Sequence, residues 1–304
     1  MTETATHIAV DIRELKTVRD WVRFGVSEMR RAKVFFGHGC TNAFDEAVYL
    51  TQSALCLPIM EPLDVFWDAR LTEHEKTRLL NMLTERIVHR KPASYITGES
   101  WLQGHRFDVD KRVIIPRSFI AELLADQLTP WINDPEAPMQ VLDMCTGSGC
   151  LAVLAAYAFE NAQVVGADLS ADALEVAKGN INNHHLQDRV TLVETDLFTG
   201  LEDQQFDLII TNPPYVNEHT MRRLPPEYLH EPRMALAGGD NGMQLIDRIL
   251  AEARNHLTDG GLLVVELGNE KMHFEEAYPD LNVIWLDTSA GDEQVFLIHK
   301  EDLE

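Results

Sequence analysis

Four short stretches of this chain put residues with ligand-binding chemistry at the ends of apolar runs. The first is Asp143-Met144-Cys145-Thr146-Gly147-Ser148-Gly149. Its glycines allow a sharp turn and close approach to a ligand, and the helix start after them presents free amides. Position 152 is Ala, which a dinucleotide fingerprint tolerates in place of its third glycine. Taken alone, the motif also fits a tight structural turn. The second is Asp168, 19 residues after Gly149. That is close to the spacing at which an acidic residue meets ribose hydroxyls, and a carboxylate offers two acceptor oxygens to a vicinal diol. Ser170 can cap the following helix, which leaves Asp168 free. The third, Asp196, can accept from an adenine amino group or close an Asx turn. The fourth is Asn212-Pro213-Pro214-Tyr215. Two prolines fix the backbone and remove two donors, so the loop presents the Asn212 side-chain oxygen and the Pro213 carbonyl. With the Tyr215 ring beside them, these acceptors suit an –NH2 group.

Other residues carry less. Arg117, after Pro116, can bind a carboxylate of a cofactor or substrate, or serve as a structural arginine. Glu266 can line a pocket or simply end a strand, and His184-His185 read as surface residues on a polar loop. No HExxH or two-His-carboxylate spacing occurs, so no metal is expected. Cys40, Cys56, Cys145 and Cys150 form no CxxC pair; they read as reduced thiols of a cytoplasmic protein.

The elements that must position these groups follow from periodicity. Apolar spacing predicts helices over 11–35 and 42–57, and a third from Thr72, where Thr72-Glu73-His74-Glu75 is a capping box and Pro92 is the expected stop. Residues 95–115 alternate apolar and polar around Gly98 and Gly104, the pattern of a β-hairpin. A helix capped by Ser118 is predicted over 118–131, and NDPEAP at 133–138 is a turn-rich linker candidate. From 139 onwards strands and helices alternate, with a short-linked pair of strands at the end. This predicts an α/β fold: a seven-stranded, mostly parallel, doubly wound sheet whose last pair is antiparallel. The expected division is a helical substrate-recognition domain over 1–92, a hairpin linker over 93–117 and a ligand-binding domain over 118–304.

Composition narrows the function classes. The 304 residues include 26 Lys and Arg against 49 Asp and Glu, a formal charge of −23. Such a surface repels phosphate backbones and attracts a basic protein. No apolar run reaches the roughly 18 residues a membrane helix needs, and the N-terminal MTETATHIAV has no basic start followed by an apolar stretch, so no signal peptide is expected.

Together, the Gly-rich turn, the strand-end aspartates and the NPPY loop resemble the class I S-adenosylmethionine-dependent methyltransferases that act on amino groups. The stretches ASYITGESWLQGHRFDVDKRVIIPRS and HEPRMALAGGDNGMQLIDRIL extend the resemblance to the HemK-type protein glutamine methyltransferases, over about residues 90 to 300. FFGHGCTNAFDEAVYL and the segment Pro116–Glu122 resemble the branch acting on the third large-subunit ribosomal protein rather than on release factors. The resemblance implies S-adenosylmethionine as cofactor, held by Asp143, Cys145, Thr146, Gly147, Gly149, Asp168, Leu169, Asp196, Leu197 and Asn212. It implies substrate contacts from Asn212, Pro213, Pro214, Tyr215 and Arg117, with Asn212, Pro213 and Tyr215 catalytic. The expected partner is that basic ribosomal protein, free or partly assembled and docking on the helical domain, with no DNA and no membrane. Glutamine methylation of release factors, an N6-adenine DNA methyltransferase and a non-catalytic assembly factor are the alternatives.

Overall fold

The computed structural model describes residues 13–303; Ile12 and the N-terminal segment MTETATHIAV lie outside the described residues. The chain forms two compact units. One is the described part of Met1–Ser100 together with Pro225–His230, and the other is Trp101–Leu224 with Glu231–Glu304.

The first unit is helical: α1 Val18–Arg31, α2 Ala43–Leu55, α3 Glu73–Ile87 and the short α4 Ala93–Thr97. Side chains cap the three long helices. Thr17 and Asp20 form one capping box, Thr72 and Glu75 the expected one, and Asn42 accepts from the amides of Phe44 and Asp45. Each such cap satisfies amides that have no partner within the helix. Trp21, Met29, Leu50, Leu79 and Leu83 fill the core. Pro92 does not end α3, which stops at Ile87; Arg90 then turns through a positive φ of 60°, and Pro92 instead begins α4. The predicted hairpin is correspondingly shorter, β1 Glu99–Leu102 and β2 His105–Asp108. Gln103 and Gly104, both at positive φ, make the turn between them, the mirror-image geometry that matches strand twist.

Arg86 is fully buried in this unit, where its guanidinium bonds to Glu46 at 2.6 Å, Glu227 at 3.3 Å and the Phe35 carbonyl at 2.7 Å. Glu227 belongs to the short segment that returns from the second unit's sequence. A buried charge is tolerated only with such partners.

The second unit carries the seven-stranded sheet. Its elements are α5 Ile120–Ala125, β3 Met139–Met144, α6 Cys150–Ala158, β4 Ala162–Asp168, α7 Ala171–Asn183, β5 Val190–Glu194, β6 Phe206–Thr211, α8 Glu218–Met221, α9 Gln244–His256, β7 Leu257–Glu266, α10 Lys271–Ala277, β8 Ile284–Thr288 and β9 Gly291–His299. The strand order is β5-β4-β3-β6-β7-β9-β8. Strands β3 to β7 run parallel, and β9 runs antiparallel to both β7 and β8. The sheet buries both faces. Val141, Leu208 and Val264 point to the side of α5 and α6, whereas Leu142, Ile209 and Leu263 point to the side of α9 and α10. Strand order reverses between β3 and β6, and in open α/β sheets ligands lie at that switch, beyond the carboxyl ends of the strands.

The helix predicted over 118–131 is only α5. Gln127 and Leu128 both adopt a φ of 52°, which breaks the helix while Leu128 stays buried. Ser118 lies before the cap, at Phe119, and accepts from the Ile120 amide at 3.2 Å. NDPEAP leads into β3 within the second unit rather than joining the units.

Candidate active site

A cleft opens at the switch point, enclosing roughly 770 Å³ of empty space with the solvent at its mouth included. Its walls bring together Cys145, Gly147, Asp168, Leu169, Asp196, Leu197, Asn212 and Pro214, eight of the residues singled out above. These come from the ends of β3, β4, β5 and β6. The parallel register aligns those ends: Asp143 pairs with Gly166 on one side and Ile210 on the other.

The Gly-rich turn is held from within. Gly147 donates its amide to Asp168 Oδ2 at 2.8 Å, and Gly149 donates to the Thr146 carbonyl at 2.9 Å. The turn's amides are therefore not all free, as the sequence pattern suggested. Gly149 has a φ of 77°, and a Cβ there would lie 3.0 Å from that of Ala177 on α7, so α6 and α7 pack closely only with glycine at this position.

Asp168 is not left free either. Ser170 does cap α7, accepting from Ala173, but Asp168 Oδ1 accepts the Ser170 amide at 2.9 Å while Oδ2 holds Gly147. Each oxygen keeps one further acceptor position. Burial raises the Asp168 carboxyl above its usual range, against the lowering effect of these amides.

Asp143, Thr146 and Gly149 do not line the cleft. Asp143 is fully buried beneath the turn, where one oxygen accepts from Thr146 Oγ1 and from the Ala152 amide. Its other oxygen has no hydrogen-bond partner. Burial pushes this carboxyl up to about 7. Burial also raises the Cys145 thiol, which remains protonated as part of the wall.

Asp196 follows β5, the strand beside β4, two residues beyond the partner of Asp168, and pairs with Arg248 at 2.9 Å. Leu169 and Met234 leave 58% and 55% of their surface exposed beside the cleft, enough apolar area to cover a flat ring.

Asn212 enters the cleft from the end of β6. Thr211 anchors this point, donating from Oγ1 to the Met144 carbonyl at 2.9 Å. Among the described residues, no hydrogen bond engages the Asn212 carboxamide, so its oxygen is available to a ligand. Pro213 is buried and Tyr215 half-buried, and neither lines the cleft.

Arg117 and Glu266 have structural partners. Arg117 is bidentate to the buried Glu231, at 2.6 and 2.8 Å, and does not reach the cleft. This pair fixes the start of the segment that supplies Pro232, Met234 and Ala235 to the wall. Glu266 accepts from Ser118 Oγ at 2.6 Å and the Phe119 amide at 2.8 Å, and burial pushes it up to about 7. His184 caps α7 and is engaged by Tyr157 and the Arg106 carbonyl, so it fastens β2 to the helix.

Arg112, Val113 and Ile114 form a wall that sequence reasoning passed over. Their only signal was membership in the stretch after the hairpin, which is irregular. Among the described residues, no three or more His, Cys, Asp and Glu group in a way that could hold a metal ion, and no helix is long and apolar enough to cross a membrane.

Residues 121–237 match the methyltransferase small domain. The chain is 53% identical to the ribosomal protein uL3 glutamine methyltransferase of Bordetella pertussis, covering 95% of this chain and 97% of that protein. It is 54% identical to the one from Burkholderia pseudomallei, covering 95% and 96%, and 48% identical to the one from Neisseria gonorrhoeae, again covering 95% and 96%. The doubly wound sheet is therefore a class I methyltransferase fold, and the chain belongs to the family of ribosomal protein uL3 glutamine methyltransferases.

Proposed function

We propose that this enzyme transfers a methyl group from S-adenosylmethionine to the side-chain amide nitrogen of a glutamine in ribosomal protein uL3. The observation that carries the reading is Asn212: an unengaged carboxamide in the wall of the switch-point cleft, followed by two prolines and a tyrosine. Action on a ribosomal protein implies work in the cytoplasm.

The residues present fit the cofactor. Asp168 keeps an acceptor position on each oxygen for a ribose diol, and Leu169, Leu197 and Met234 offer apolar surface to a base. The orphaned Asp143 oxygen is a further buried acceptor beneath the turn. S-adenosylmethionine, when bound, supplies a methyl group already activated by its positive sulfur.

The protein's task is then orientation. An amide nitrogen is a poor nucleophile because its lone pair is shared with the carbonyl. Asn212 Oδ1 and the Pro213 carbonyl each accept one hydrogen of the –NH2, which turns the nitrogen lone pair towards the cleft. The same acceptors stabilise the positive charge that grows on nitrogen, the cationic counterpart of an oxyanion hole. Tyr215 does not line the cleft; by the resemblance its ring packs on the substrate amide once the substrate is bound. Once the nitrogen has taken the methyl it carries a positive charge, and this N-protonated amide is acidic enough to lose its extra proton to solvent without a dedicated base.

The formal charge of −23 favours a basic protein substrate over DNA. Free or partly assembled uL3 is the better substrate in this reading, since ribosomal RNA covers its basic surface. The test is transfer of labelled methyl from S-adenosylmethionine into ribosomal proteins from a strain lacking the enzyme. Label in uL3, faster in the free protein than in mature ribosomes, supports the proposal. Label confined to release factors, or none, refutes it.

A further inference from the structure

Three glycines, Gly238, Gly242 and Gly268, lie against Tyr215. Gly268 follows β7 at a φ of 54°, and a Cβ built there would lie 2.5 Å from Tyr215 Cε2 and 2.8 Å from Cζ and the hydroxyl oxygen. Two further glycines enclose the Tyr215 backbone. A Cβ at Gly238 would lie 2.7 Å from its Cα and carbonyl carbon, and one at Gly242 would collide with its carbonyl oxygen. Real Cβ atoms do not approach this closely, so the loop takes its path only because these positions carry no side chain.

The residues after Tyr215 are fastened to the same neighbourhood. Val216 donates to the Leu236 carbonyl at 2.8 Å, Gly238 donates to the Val216 carbonyl at 2.9 Å, and Glu218 donates to the Gly239 carbonyl at 3.0 Å. Asn217 spends its whole carboxamide here: Oδ1 accepts the Thr220 amide, and Nδ2 donates to both oxygens of Glu270, at 2.8 and 3.0 Å. Glu270 is 5% exposed, and His273 Nδ1 lies 2.5 Å from its Oε2. A buried carboxylate without such partners would be costly.

We infer that the turn Leu267–Glu270 is a positioning element for the methyl-acceptor loop, with Gly268 seating the Tyr215 ring and Glu270 holding Asn217. This rests on the acceptor role proposed above for Asn212-Pro213-Pro214-Tyr215. Both supports lie beyond β7, more than 50 residues along the chain from the loop they hold. Thr211 fixes the loop at its start and this turn fixes it at its end, so the acceptor nest has one geometry. Misplacement by about 1 Å can cost a methyl-transfer geometry on the order of a hundredfold in rate.

A methyl group at 268 meets the far end of a tyrosine ring rather than the core, and Ala at a φ of 54° also strains the backbone; that strain is present with or without the Tyr215 ring, so comparing the two backgrounds separates it from the push on the ring. The experiment is a cycle of Gly268→Ala and Tyr215→Ala, with methyl transfer to uL3 as the rate and calorimetry for S-adenosylmethionine affinity. Gly268→Ala should lower kcat at least about tenfold with an unchanged cofactor Kd, and should lower it no further in the Tyr215→Ala background. Glu270→Gln, which keeps one acceptor, should lower kcat in the same direction by less. An independent readout follows the ring itself. In protein labelled with fluorotyrosine, the Tyr215 signal, assigned by its loss in Tyr215→Phe, should shift in Gly268→Ala while the other five tyrosines keep theirs. Wild-type kcat in Gly268→Ala, an equal drop in both backgrounds, or an unmoved Tyr215 signal overturns the inference. If instead Tyr215→Ala turns over like wild type while the fluorine signal moves, the seat exists and the acceptor role of Tyr215 is what fails, taking the positioning role with it.

Discussion

Asp168 is the residue at which ligand affinity and loop geometry can be separated. Its two oxygens each accept one backbone amide, from Ser170 and Gly147, and each has one acceptor position left for a ribose hydroxyl. Asp168→Asn preserves the size but replaces one oxygen with a donor, which faces an amide donor. One amide loses its partner and one of the two hydroxyl contacts is lost. A hydrogen bond to a charged group is worth about 1.5–3 kcal/mol, so the Kd for S-adenosylmethionine should rise roughly tenfold to somewhat over a hundredfold. The ligand-free protein should lose about 1–3 kcal/mol from the orphaned amide, seen as a lower Tm. Calorimetric titration and thermal denaturation of the ligand-free protein measure the two effects separately. A lower Tm with unchanged affinity would make Asp168 a brace for the turn and nothing more, and the ribose assignment would fall.

Three further outcomes follow from the same geometry. Asn212→Ala should leave cofactor affinity nearly unchanged and reduce turnover on the order of 10²–10³-fold, as for removal of one preorganised charge-stabilising group; methyl transfer near the wild-type rate would contradict the acceptor nest. Glu266 is pushed from 4.5 up to about 7 by burial, so the folded form holds a proton that the unfolded chain has released, and its contribution makes stability fall as pH rises through that window. Glu266→Gln should flatten that part of the Tm-versus-pH curve, and an identical slope in both proteins would show that Glu266 does not titrate there. Residues 1–100 carry 13 Lys and Arg against 14 Asp and Glu, whereas residues 101–304 carry 13 against 35. Neutralising exposed acids of the second group should therefore slow low-salt association with uL3 more than neutralising those of the first, an effect that salt should erase because screening acts over about 8 Å at physiological ionic strength; equal slowing by both sets, measured by stopped flow, would refute this.

Much of the fold was legible because its signals are local. The capping box at Thr72, the buried runs of β3 and β6, and the Gly turn between β3 and α6 are each written in a few adjacent residues. The parallel sheet then forces the ends of β3 to β6 into one place, which is why aspartates and an asparagine far apart in sequence meet in one cleft. What stayed hidden depended on partners distant in the chain. Arg117 looks the same in sequence whether it meets a ligand or Glu231, and Glu266 gives no sign that Ser118 and Phe119 will cover it. The wall contributed by Arg112–Ile114 is irregular backbone, and that by Pro232–Ala235 is a single 3-10 turn, too short to show a period. The early end of α5 comes with positive φ at Gln127 and Leu128, which the types of these residues do not announce.

The most direct measurement is to incubate purified enzyme and S-adenosylmethionine with free uL3 and locate the methyl group by tandem mass spectrometry. The account predicts a single methyl on the side-chain nitrogen of one glutamine, absent when Asn212 is replaced by Ala. A methyl found on a lysine, an arginine or the backbone, or one that persists without Asn212, would contradict it.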